Sequence, residues 1–238
     1  MDRKTVITSV ALGVAANLAY AALVGVSALP AALHWGLTAV ALLILPFALV
    51  YYARLHKYGI TNVWDPGDAK FDLAQHLGSS QRSLLFLGVS ARTVMQPQVE
   101  AAIRQKLLTN HEFSMKLLLF DRMEIEKLKR RALEETGDAS TAEEWAESMA
   151  ATIQMLLRIR RALGAAGDRL EIRTYRNFPV FRMLIVDADY VLVNFYAKGR
   201  FPGQSPCLEV RQPANPNSFA YGLQKHFDEL WLDATPAE

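Results

Sequence analysis

Charge is missing from forty-nine consecutive residues, Thr5 to Ala53, which hold no Asp, Glu, Lys or Arg. A stretch of that length is no ordinary core helix. Cysteine is almost as scarce, since Cys207 stands alone and an intramolecular disulfide is excluded. No Walker loop, dinucleotide fingerprint or CxxC pair occurs, so the common nucleotide and zinc machinery is not indicated. No His stands at metal-ligand spacing from another His or Cys, so neither a metal nor a cofactor is expected. The formal net charge is only +2, too small to mark a nucleic-acid surface.

The uncharged segment is long enough for two membrane spans. A hydrocarbon core about 30 Å thick takes roughly 20 helical residues at 1.5 Å each, and Val6 to Leu29 and Ala31 to Tyr52 both satisfy this. The break at Ala28 to Pro30 separates them. Arg3 and Lys4 precede the first span and Arg54 and Lys57 follow the second, while Ser27 to Trp35 carries no Lys or Arg. The positive-inside rule therefore places both termini in the cytoplasm, with the hairpin in the inner (plasma) membrane. Trp35 and the Tyr51–Tyr52 pair suit interfacial positions. A cleaved signal peptide would be shorter and would not be followed at once by a second span. Asn17 is the most informative polar residue of the spans, with Thr38 a lesser one. An amide in hydrocarbon needs a partner, which is either its own hairpin or symmetry mates around a lumen. Pro46 removes a backbone hydrogen bond from the second span.

The divisions expected are a hairpin over 1–53, a juxtamembrane linker over 54–70 and one cytosolic domain over 71–238. The linker holds Gly59, Pro66 and Gly67 and shows no helical period. Ser83 to Val89 and Ser114 to Phe120 read as buried strands, with a helix over Gln98 to Asn110 between them. Helices are expected over Met123 to Glu135 and Thr141 to Leu163, with Ser140/Glu143 and Thr141/Glu144 as capping-box candidates. Strands follow at Leu170 to Tyr175, Arg182 to Asp187, Tyr190 to Tyr196 and Cys207 to Val210. Asp187-Ala188-Asp189 makes the middle two a hairpin. Phe219 to Leu232 closes the chain as an amphipathic helix. The fold class is α/β with a mixed sheet.

The element order over about Phe71 to Trp231, and above all VFRMLIVDADYVLVNFY (Val180 to Tyr196), resembles one half of the phospholipase D superfamily. That family carries His-x-Lys-x-x-x-x-Asp on a strand, with histidine as nucleophile and lysine stabilising phosphoryl charge. The resemblance sets Asp187 at the aspartate, Arg182 at the lysine and Val180 at the histidine. The nucleophile is absent. The small polar tail of the family is also replaced, by Asn194, Phe195, Tyr196 and Ala197. Single-motif members imply a homodimer, so a homodimer or higher homo-oligomer is expected here.

No catalytic residue is therefore expected, and the candidate ligand residues are Arg182, Asp187, Ser90 and Arg92. Arg182 retains bidentate anion-binding capacity. Ser90 and Arg92 follow the first strand, where open α/β sheets place ligands, although loops are polar in any case. His226 lies beside Asp228 and Glu229 on the final helix, where such neighbours are usually surface residues. Lys127, Lys129, Arg130 and Arg131, then Arg158, Arg160 and Arg161, form either solvated helix faces or contacts to anionic headgroups. Expected partners are the bilayer, further copies of the chain, and a small-molecule ligand or a regulatory protein. The architecture suggests a noncatalytic membrane effector or sensor, of the membrane-disrupting kind found in bacterial antiphage defence. The alternative is a membrane-bound phosphodiesterase or phosphatidyltransferase acting on lipid headgroups.

Overall fold

The computed structural model describes residues 50–51, 53–65, 72–196, 205–211 and 218–237. The chain divides into two compact units, Met1–Arg54 and Leu55–Glu238. In the first unit only residues 50, 51, 53 and 54 are described, and they are helical. The expected spans, with Asn17 and Thr38, thus lie outside the described residues apart from that last turn. No helix among the described residues is long and apolar enough to cross a membrane.

The second unit is built on one eight-stranded mixed sheet. Its strands are β1 (Ile60–Trp64), β2 (Ser83–Gly88), β3 (Ser114–Phe120), β4 (Leu170–Tyr175), β5 (Phe181–Val186), β6 (Tyr190–Phe195), β7 (Cys207–Arg211) and β8 (Thr235–Pro236), in the spatial order β1-β7-β6-β5-β2-β3-β4-β8. β2, β3 and β4 run parallel, and the remaining pairings are antiparallel. β2 reads as an unbroken apolar run, and β3 as one interrupted only by the half-buried Lys116, because both of their faces are largely covered, as parallel strands at the centre of a sheet require. Helices α1 (Leu73–Ser79) and α2 (Pro97–Thr109) cover one face. There Leu77, Ile103 and Leu107 meet Leu84, Leu117 and Leu184. The helix α5 (Phe219–Asp233) covers the other, packing Phe227 and Trp231 against a cluster that includes Leu118 and Ile185. The pair α3 (Ile125–Thr136) and α4 (Thr141–Ala162) contributes to both clusters, with Ile153, Leu156 and Ile159 on the first and Leu128 and Met149 on the second.

Two local expectations are corrected. The stretch read as a linker contains β1, an edge strand tied to β7 by the Arg211 backbone N–H donating to Gly59 O (2.8 Å) and by Trp64 Nε1 donating to Glu209 Oε2 (3.1 Å). Three half-buried residues and two exposed ones, Asn62 and Val63, leave a weak pattern. Neither capping box forms at the start of α4. The Ser140 hydroxyl donates to Asp138 Oδ2 (2.7 Å) and the Thr141 hydroxyl to Asp138 O, so a local loop claims both side chains.

The β5–β6 hairpin turns as expected, with Asp187 and Ala188 at φ 54° and 58°, the left-handed pair that a type I′ turn uses. Asp189 N donates to Val186 O across it (3.1 Å). Asp187 is fastened from outside the turn. Its carboxylate accepts from the backbone N–H groups of Arg82 (2.7 Å), Gln81 (2.8 Å) and Ser83 (2.9 Å), while its own N–H donates to Ser83 O (2.9 Å). The side chain thereby sets the start of β2 against the end of β5. Burial raises the pKa of this carboxyl, but the three donors from Ser83, Arg82 and Gln81 outweigh it and hold the group below the usual carboxylate range.

Asp187→Ala is expected to cost about 1–3 kcal/mol in chemical unfolding, since three donors lose their acceptor. A carboxyl with a depressed folded-state pKa contributes stability above its unfolded value, and that contribution fades as pH falls through the folded one. The gap between wild type and variant should therefore close in acid, below the ordinary carboxylate pKa. A gap that stayed constant would assign the loss to packing alone.

Candidate functional site

The site grows from the antiparallel pairing of β2 with β5. Leu87 lies opposite Met183, and one residue further on Gly88 faces Arg182, so the end of β2 meets the start of β5. Gly88 is needed here for space. A β-carbon on it would fall 2.9 and 3.0 Å from the Phe86 ring and 3.6 Å from Arg182 Cγ. Beyond it Ala91, with φ 45°, adopts the left-handed conformation without being glycine, and a short 3-10 turn begins at Arg92. This turn swings Ser90 and Arg92 back toward β5.

Together these elements enclose a cavity of about 240 Å³. Its lining includes Ser90, Arg92 and Arg182, so three of the four ligand candidates converge on one place. Asp187 is not among them. It lies five residues along β5 from Arg182, roughly 17 Å away at about 3.3 Å per residue, and its carboxylate is engaged with the start of β2. Val180, at the position of the family nucleophile, is 69% exposed.

Arg182 is half-buried, and its Nη2 donates to Asn194 Oδ1 (3.2 Å) directly across on β6. Asn194 is itself buried, and its amide donates to Ser205 O (3.3 Å) and Pro206 O (3.4 Å), which fixes the orientation of the acceptor. Burial lowers the guanidinium pKa, the expected direction for a cation taken out of water. Arginine nevertheless keeps its charge near neutral pH. Tyr196 stands two residues beyond Asn194, where its hydroxyl accepts from Val89 N (3.2 Å). Burial pushes this phenol up to about 12.

Side chains with no sequence motif complete the wall. Trp145 and Ser148 come from α4, Glu135 from α3, and Phe178 from the β4–β5 loop. Glu135 is ion-paired with Arg131, and both side chains are close to fully buried, at 5% and 11% exposure. Burial raises the Glu135 pKa, against the lowering effect of Arg131. Phe178 meets Phe120 edge-on at 5.1 Å and Tyr196 at 6.0 Å, with the Arg131 guanidinium 5.7 Å from its centroid.

This arrangement sets cations and hydroxyls beside one carboxyl, that of Glu135. It offers two guanidinium groups and hydroxyls from Ser90 and Ser148, while Tyr196 remains a phenol near neutral pH. Among the described residues no histidine lines it. His226 packs on the Phe181 ring at 5.6 Å and His76 on Tyr190 at 5.5 Å. Cys207 is buried, and burial raises its thiol to about 11, so it supplies little thiolate. Among the described residues no group of three His, Cys, Asp or Glu could hold a metal ion. The basic residues of α3 are largely engaged: Lys127 pairs with Glu124, Lys129 with Glu126 and Arg131 with Glu135.

The chain matches no protein-family model, and no curated protein matches it in sequence. Solved structures similar to it include the following three. Nuc from Salmonella typhimurium, a phospholipase D family member, is 14% identical, with 74% of this chain and 97% of that chain covered and a TM-score of 0.41. TrmBL2, an archaeal chromatin protein whose structure shows a novel mode of DNA binding, is 13% identical, with coverages of 86% and 67% and a TM-score of 0.43. Phosphatidylserine synthase from Haemophilus influenzae Rd KW20 is 9% identical, with coverages of 74% and 39% and a TM-score of 0.49. These likenesses concern the fold, and the chemistry of the cavity rests on its own side chains.

Gly88→Ala should displace the Phe86 ring toward Arg182 and the cavity. Overpacking of this kind costs about 1–3 kcal/mol, measurable by denaturant unfolding of the purified protein. Unchanged stability would mean that the close approach at Gly88 is not a constraint.

Proposed function

We propose that the domain is a noncatalytic receptor for a phosphate-bearing ligand, tethered to the cytoplasmic face of a plasma membrane by a hairpin formed from the uncharged N-terminal segment. The observation that carries this reading is the convergence of Arg182, Arg92 and Ser90 on one cavity. Planar guanidinium groups match the oxygens of a phosphoryl group, and a serine hydroxyl adds a further donor. Valine at position 180 cannot form a phosphohistidine, and the carboxyl that lines the cavity, that of Glu135, is engaged in an ion pair with Arg131. In this reading the chain assembles as a homo-oligomer, and ligand occupancy changes how the hairpins pack. Such a device would serve as a membrane-disrupting effector in bacterial antiphage defence.

The test is calorimetric titration of the full chain in lipid nanodiscs with inorganic phosphate and with glycerol 3-phosphate. Saturable binding is expected, weakened at least tenfold by Arg182→Gln, since hydrogen bonds to a charged group contribute about 1.5–3 kcal/mol. The circular dichroism of the variant should match wild type. Hydrolysis of a generic phosphodiester that disappears in Arg182→Gln would overturn the noncatalytic reading and favour a phosphodiesterase or phosphatidyltransferase. The hairpin is tested separately. Overproduction should collapse the membrane potential of the host, and Asn17→Leu should reduce the effect, whereas unchanged potential in producing cells would contradict an active hairpin.

A further inference from the structure

Within the cavity, rings are unexpectedly frequent for a site that would only hold phosphate. Four of its twelve lining residues are aromatic, namely Phe86, Trp145, Phe178 and Tyr196, against 10% aromatic residues in the chain. Glycerol phosphate or inorganic phosphate makes no use of such surfaces. A planar base does, because every nucleobase has a face that stacks on aromatic side chains or on a guanidinium plane.

Three of these rings are held from behind. Phe178 is braced by Phe120 and Tyr196 and capped by Arg131, and Phe86 lies over the space that Gly88 leaves open. Tyr196 is held through its hydroxyl by Val89 N–H. Rings already fixed lose little freedom when a ligand arrives, which favours stacking on them. At about 240 Å³ the cavity is too small for a nucleic-acid strand or an acylated lipid.

Building on the phosphate-receptor reading, we infer that the ligand is a nucleoside monophosphate whose base stacks on Trp145 and Phe178 while Arg182 and Arg92 take its phosphate. Trp145 belongs to α4 and Arg182 to β5, so such a ligand bridges the helical pair and the sheet.

The experiment compares the four ribonucleoside monophosphates with ribose 5-phosphate, which lacks only the base, by calorimetry on the full chain in nanodiscs. At least one nucleotide should bind tenfold or more tightly than ribose 5-phosphate. Trp145→Leu should weaken nucleotide binding at least tenfold more than it weakens ribose 5-phosphate binding. Equal affinity of wild type for ribose 5-phosphate and every nucleotide would overturn the inference and leave the phosphate receptor standing. Equal weakening of both ligands by Trp145→Leu would also overturn it, since the ring would then support the fold and not the base. Failure of every phosphate compound to bind would remove both readings together.

Discussion

A guanidinium withdrawn from water must be surrounded by oxygen, and the far end of this sheet is arranged around that demand at Arg182. Asn194 supplies one acceptor from the neighbouring strand, held in place by its own amide donating to Ser205 and Pro206. On the other side Gly88 leaves the space through which the arginine stem and the Phe86 ring pass. Arg182 also lines the cavity. A half-buried cation facing a cavity favours an anion that enters it, because the attraction is screened less there than in bulk water.

The topology explains why this occurs beside β2. The antiparallel hairpin β5–β6 is joined to the parallel trio through β5, so the start of β5 lies beside the carboxyl end of β2. That end is where open α/β sheets place ligands, because loops there turn freely away from the strands. The two ends of β5 consequently have different duties. Asp187 fixes the register with three backbone N–H groups, while Arg182, at the opposite end, faces the cavity. A change at the first is expressed as stability and a change at the second as affinity.

Much of this order is legible in the amino acids. The apolar runs of β2 and β3 announce strands covered on both faces, and the Asp187-Ala188-Asp189 turn announces the hairpin. The duty of Asp187 is not legible locally, since its partners lie 104 to 106 residues earlier and only the sheet brings them together. β1 escapes notice because a five-residue edge strand with no buried residue, lying between glycines, has little pattern. Arg182, Ser90 and Arg92 can each be singled out, yet their convergence depends on the β2–β5 register. Trp145, Phe178 and Glu135 carry no motif at all. Their positions follow from how α3, α4 and the β4–β5 loop close over the sheet.

The central claim is that the Arg182 guanidinium binds a phosphoryl group inside the cavity. Its most direct test is NMR of the full chain labelled with nitrogen-15 arginine, with the Arg182 Nε resonance assigned by its loss in Arg182→Gln. Titration with inorganic phosphate should move that resonance along a saturable curve, with the exposed Arg176 unaffected. An Arg182 signal that stays fixed, or that moves only in step with surface arginines, would contradict the account.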